Sequence, residues 1–114
     1  MDIGLRDRVY VVTGGSTGLG FASARCLVDE GVRVVVVSRS AENVEAAVDA
    51  LGSAAVGMVA DLASESTGDD AVALAIDTFG RLDGGLISVG GPPPGSVLST
   101  TDDQWRAAFD AVFL

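Results

Sequence analysis

The chemistry on offer begins at Thr13. A β-forming run, Val9-Tyr10-Val11-Val12, stops there and Gly14-Gly15-Ser16-Thr17-Gly18-Leu19-Gly20 follows. Gly14 and Gly18 lack a Cβ, so the backbone can turn tightly and approach a ligand closely. Free N–H groups at the start of the next helix carry partial positive charge and suit a pyrophosphate. Ser16 and Thr17 can add hydroxyl donors and cap that helix, and Gly20 lets it pack close to the sheet. The turn stands after the first strand and before the first helix, where a phosphate-binding loop belongs. A plain strand-to-helix turn would use the same residue types.

Other chemistry is thin. The chain has no histidine and no lysine, so the commonest general base and metal ligand is missing. One cysteine, Cys26, allows neither an internal disulfide nor a zinc site, so no metal is expected. Its place in a helical pattern predicts a packed thiol. The single tyrosine, Tyr10, lies in the first strand. Sixteen acids against seven arginines give a charge of −9, which leaves no electrostatic footprint for nucleic acid. An Asp-rich, lysine-free chain fits either a GC-rich genome or adaptation to high salt, and both stay open. No apolar run approaches the ~18 residues that span a bilayer, and the start, MDIGLRDR, is charged rather than signal-like. A soluble, cytoplasmic protein with no membrane partner is expected.

Four strands must position the turn. Val9–Val12 reads as the first, and 17–30 as a helix with Phe21, Ala24, Leu27 and Val28 inward, stopped at Gly31. Val32–Val37 is an unbroken β-branched run, which suits a strand covered on both faces. Ser40–Leu51 is helical with Val44, Ala47, Val48 and Leu51 on one stripe, ended by Gly52. Ala54–Val59 is a third strand. Ser64 or Ser66 opens a helix with Val72, Ile76 and Phe79 inward, closed by Gly80. Gly85–Val89 is a fourth strand, followed by GGPPPGS, which cannot continue a sheet interior. Thr101-Asp102-Asp103-Gln104 reads as a capping box, ahead of an apolar stripe of Trp105, Ala108, Phe109 and Val112. Alternation of this kind argues for a parallel sheet with helices on both faces, within a single domain.

The glycine spacing is T-G-x-x-x-G-x-G, not G-x-G-x-x-G. On that motif the chain resembles the short-chain dehydrogenase/reductase family, and in particular members similar to 3-oxoacyl-(acyl carrier protein) reductases, along essentially its whole length. The resemblance implies a Rossmann-type, doubly wound parallel α/β sheet that binds NAD(P), with residues 1–114 as the cofactor-binding segment. It implies cofactor contacts from Gly14, Ser16, Thr17, Gly18, Leu19 and Gly20. Ser38-Arg39-Ser40 follow the second strand, where an acidic residue would favour NAD. A guanidinium at Arg39 can instead pair with a 2′-phosphate, so NADP is expected and NAD is the alternative. Asp61-Leu62 matches the family's Asp-aliphatic pair at adenine; a loop aspartate capping the next helix is the plainer reading. Ser88-Val89-Gly90-Gly91 stands where the family has Asn-Asn-Ala-Gly. Its first three residues differ, while Gly90 and Gly91 still let the backbone pass near a ribose beside Val89.

The family's tyrosine and lysine have no counterpart here, and its helix asparagine falls at Val112, so no catalytic residue is assigned. A phenol needs a nearby cation to act as acid or base at neutral pH. The chain stops at Leu114 inside an apolar helical pattern, which suggests the N-terminal part of a longer protein. The expected activity of that parent is hydride transfer to or from a small carbonyl or alcohol, with the 114 residues inactive alone. The alternative is a non-catalytic dinucleotide-binding module or redox sensor. A nucleotide-dependent methyltransferase also uses a glycine-rich turn, but Arg39 replaces the acidic residue it needs. The Trp105 stripe is read as core, or as a contact between copies in a homo-oligomer.

Overall fold

A computed structural model of the chain describes residues 4–16, 18–61, 63–88, 101–104 and 106–107. The elements alternate as the sequence predicts. They are β1 (Val9–Thr13), α1 (Gly18–Asp29), β2 (Arg33–Ser38), α2 (Ala41–Leu51), a 3-10 turn (Gly52–Ala54), β3 (Ala55–Val59), α3 (Thr67–Phe79) and β4 (Gly84–Leu86). The strands form one sheet in the order β3-β2-β1-β4, and every pairing is parallel. The predicted fourth strand, 85–89, is shorter and starts a residue earlier, with Tyr10 facing Gly84 and Val12 facing Leu86; Val89 lies outside the described residues.

The unbroken valine run of β2 is explained by two cores. Val34 and Val36 join Val12, Ala24, Ala47 and Leu51 under α1 and α2. Val35 and Val37 join Val9, Val11, Ala71 and Ala75 under α3. A strand buried on both faces has no use for alternation.

α1 seats Ala24, with Phe21, Leu27 and Val28 packed against the same core. Cys26 is exposed, which corrects the expectation of a packed thiol. Two residues past Ala24 is about 200° of helical turn, which places Cys26 on the outer side. α2 is capped by Ser40, whose hydroxyl accepts the Asn43 N–H at 3.2 Å. Gly52 ends it at φ 84°. Gly57 of β3 lets α2 lie close, because a Cβ there would overlap a Val44 methyl.

α3 departs from the expected inward face. Thr67, Ala71 and Ala75 are buried, while Val72 and Ile76 are 45% and 46% exposed. Small residues bring the helix axis near the sheet, and the bulky ones at neighbouring positions are left on the flank. Phe79 does pack inward, with the Arg33 guanidinium 5.9 Å from its ring centroid. At the N-terminal edge of the sheet, Asp83 ties β4 to β1. Its carboxylate accepts the Val9 N–H at 2.8 Å and bonds from Arg81 at 2.6 and 2.9 Å and Arg8 at 3.2 Å.

The Arg81 hydrogen bond, the Val9 amide and Arg8 together pull the Asp83 pKa from 3.8 down to about 2. A depressed carboxylate contributes its stability in full above its ordinary pKa and loses it as pH falls through the folded value. The stability advantage of the native chain over Asp83→Asn is therefore expected to shrink between pH 3.8 and about 2. Urea midpoints across that range check it; a pH-independent difference would remove the carboxylate's role. Gly57→Leu is expected to cost about 1–3 kcal/mol by overpacking against α2, read from the same unfolding curves at neutral pH.

Candidate cofactor site

The glycine turn grows directly out of the sheet. The Gly14 N–H donates to the Val37 carbonyl at 2.8 Å, so the ladder between β1 and β2 continues into the turn. Gly14 then takes φ 63° and Gly18 φ 58°, the left-handed region where a side chain is strained. Nothing lies within 4 Å of where a Gly18 Cβ would stand, so the turn opens onto free space there. At Gly20 the space is closed: a Cβ would overlap the Gly14 carbonyl oxygen. Gly20 therefore seats α1 on the turn itself, a tighter reason than the expected approach to the sheet.

Ser16 is half-buried and donates its hydroxyl hydrogen to Ser38 Oγ at 2.9 Å. The bond fastens the turn to the end of β2 and differs from the helix cap expected of Ser16. Arg39 follows, exposed, with no hydrogen bond or ion pair among the described residues, and Ser40 is committed to capping α2. The Ala60 N–H donates to the Ser38 carbonyl at 2.9 Å, which keeps the end of β3 beside the end of β2. Asp61 is next, exposed. Its Oδ1 accepts the Ala63 N–H at 2.9 Å, and its carbonyl accepts from the Thr67 hydroxyl at 2.6 Å. Asp61 thus organises the entry to α3, the plainer of its two readings, with its exposed carboxylate at the same edge as Ser38. Leu19 sits in the first turn of α1 and is 85% exposed. Thr17, Leu62, Val89, Gly90 and Gly91 lie outside the described residues.

The sequence did not single out the join between β1 and β4. Thr13 Oγ1 accepts the Ser88 N–H at 2.9 Å and has the Ser88 and Leu86 carbonyls at 3.3 and 3.5 Å to receive its own proton. Gly14 lies against the same segment, where a Cβ would overlap the Ser88 carbonyl oxygen. A threonine at the end of a strand is the only local signal, and nothing in it names a partner 75 positions away.

The strand order reverses between β1 and β4, since β2 and β3 lie on one side of β1 and β4 on the other. Ligands of open α/β sheets bind outside the carboxyl ends of the strands at such a switch point, and the glycine turn stands there. Fold and turn together define a nucleotide-binding α/β protein of the Rossmann type. Its kinship is narrower: the model of the short chain dehydrogenase family matches residues 8–114, and the chain belongs to that family. It is 37% identical over 105 residues to the human mitochondrial dehydrogenase/reductase SDR family member 2, covering 89% of this chain and 38% of that protein. It is 36% identical over 104 residues to ipsdienol dehydrogenase of Ips pini, covering 91% and 40%. The crystal structure of L-sorbose reductase from Gluconobacter frateurii, complexed with NADPH and L-sorbose, superposes with a TM-score of 0.88 at 25% identity, covering 99% of this chain and 44% of that one. The 3-ketoacyl-(acyl-carrier-protein) reductase of Brucella melitensis, complexed with NADH, gives 0.87 at 26% identity, covering 95% and 45%. The chain thus spans about two fifths of the curated relatives it matches. Among the described residues, no helix is long and apolar enough to cross a membrane.

Gly20→Ala is expected to destabilise by about 1–3 kcal/mol or more, because its new methyl meets backbone that cannot give way. Thr13→Val is expected to cost about 1–3 kcal/mol by leaving the Ser88 amide without its acceptor, and Thr13→Ser to recover most of that. Chemical denaturation of the three variants checks both.

Proposed function

We propose that this chain is the dinucleotide-holding part of an NADP(H)-dependent oxidoreductase that moves a hydride between the cofactor and a small carbonyl or alcohol. The observation that carries this reading is the Gly14–Gly20 turn at the switch point: two left-handed glycines, one opening onto free space, closed by a third packed on the turn's own carbonyl. The cradle fits a pyrophosphate, since the missing Cβ atoms leave room and the start of α1 supplies unpaired N–H groups. Gly14, Ser16, Thr17, Gly18, Leu19 and Gly20 would hold the phosphates. Ser38, Arg39 and Ser40 would surround the adenosine ribose, Asp61 and Leu62 the adenine, and Val89, Gly90 and Gly91 the nicotinamide-side ribose. When bound, the nicotinamide supplies the hydride acceptor or donor.

NADP is favoured over NAD because the end of β2 carries no carboxylate and Arg39 is exposed and unpaired among the described residues. A carboxylate at Ser38 would repel a 2′-phosphate, whereas the guanidinium offers it a planar pair of donors. In this reading the chain's own residues hold the cofactor, and none is given a proton-transfer role. The chain has neither lysine nor histidine, and Tyr10 packs its ring against Gly84 beneath the sheet's α1 face. Acid–base chemistry in this reading belongs to residues outside the 114.

The 114-residue chain alone is expected to show no NADPH-dependent turnover, and measurable turnover by pure protein would sink this assignment of roles. Arg39→Asp is expected to weaken NADP binding at least tenfold, about 1.4 kcal/mol, with a much smaller change for NAD. Calorimetric titration of both cofactors is the check, and equal losses would remove the 2′-phosphate role.

A further inference from the structure

Ser16 and Ser38 form a one-way pair. The Ser16 hydroxyl donates to Ser38 Oγ at 2.9 Å, across 22 positions of sequence. A serine hydroxyl has one proton to give and two lone pairs to receive with. Ser38 therefore takes the Ser16 proton and keeps its own, which no group among the described residues accepts. Both serines are half-buried, and Arg39, the next residue, is exposed. With Ser16 on one side and no protein acceptor on the others, the Ser38 proton is left for solvent or a ligand at the carboxyl edge. The backbone beneath the pair is held on both sides. The Gly14 N–H donates to the Val37 carbonyl at 2.8 Å, and the Ala60 N–H to the Ser38 carbonyl at 2.9 Å.

We propose that Ser16 is a positioning residue for the cofactor's 2′-phosphate: by donating to Ser38, it turns the Ser38 O–H outward as a fixed donor beside the Arg39 guanidinium. The proposal rests on the dinucleotide reading above. It adds to Arg39 a residue of the glycine turn that acts on the choice of cofactor through a second side chain. A phosphate dianion only accepts hydrogen bonds, so it needs the proton end of Ser38. The 2′-hydroxyl of NAD can give as well as take, so it is served by Ser38 in either orientation. Fixing the proton outward therefore favours phosphate over hydroxyl at the same place. Accepting one hydrogen bond also polarises the Ser38 O–H and strengthens the bond it gives. A charged acceptor makes that bond stronger still. The gain comes without a new contact to the ligand, because the pair is already formed.

The test is the ratio of NADP to NAD affinity, from calorimetric titration of the native full chain, Ser16→Ala, Ser38→Ala and the double variant. A loosened turn weakens both cofactors alike and cancels in the ratio. Ser16→Ala is expected to lower the ratio about fivefold, the worth of roughly one hydrogen bond. Ser38→Ala is expected to lower it at least as much. The double variant is expected to match Ser38→Ala, because Ser16 acts on the ratio only through Ser38. A ratio unchanged by Ser16→Ala, in a chain that binds NADP, would overturn the proposal and leave the dinucleotide reading standing. A double variant whose loss is the product of the two single losses would do the same. Native protein that binds neither cofactor would overturn the dinucleotide reading and this proposal with it. Should Ser38→Ala fail to fold, Ser16→Ala alone decides through the same ratio.

Discussion

The lack of room for any side chain between Gly20 and the Gly14 carbonyl is the constraint on which the carboxyl edge of the sheet depends. A single methyl at residue 20 would overlap that oxygen, so α1 would have to lift away from the turn. The turn could not then keep both its bond to Val37 and its close fit under Ser88. Three elements meet at one carbonyl-sized gap: the start of α1, the end of β1 and the segment after β4. Glycine is required there by space and, at Gly14, by backbone angle as well.

From that gap the site spreads sideways through polar bonds. Ser16 reaches Ser38, Ser38 holds the end of β3 through Ala60, and Asp61 shapes the entry to α3. The first two links each join the carboxyl end of one strand to the next, and the third joins β3 to α3. The row from Gly14 to Asp61 is thus one continuous edge, with Arg39 projecting from it. The arrangement explains how an exposed arginine can stand at a defined place: the residues on either side of it, Ser38 and Ser40, are both bonded.

Most of this fold was legible in the sequence because the periodicities are clean. β2 is an unbroken valine run and is buried on both faces. Gly52 and Gly80 end their helices at positive φ, and Ser40 caps α2 as its residue type suggests. Two readings fail. The place of Cys26 in a helical pattern predicts a packed thiol, but it lies on the outer side of α1, and Val72 and Ile76 are read inward where Ala71 and Ala75 hold the contact positions. Apolar periodicity gives the phase of a helix only when large and small residues do not compete for the same face. The site was legible at the glycines, whose spacing is local. It was not legible at Thr13 and Ser88, or at Asp83, whose partners are brought near only by the tertiary fold.

The first strand in sequence lies inside the sheet, between β2 and β4, and β4 is the last strand described. Asp83 joins Val9 at one end of that pairing and Ser88 joins Thr13 at the other, across 74 and 75 positions. Closing so long a loop is entropically costly before any contact rewards it, which makes this pairing the slow one in folding. During synthesis, at roughly 5–20 residues per second, β1, α1 and β2 can associate while β4 is still being made. The glycine turn then has only one of its two walls for several seconds, and the nascent chain gains the second wall last.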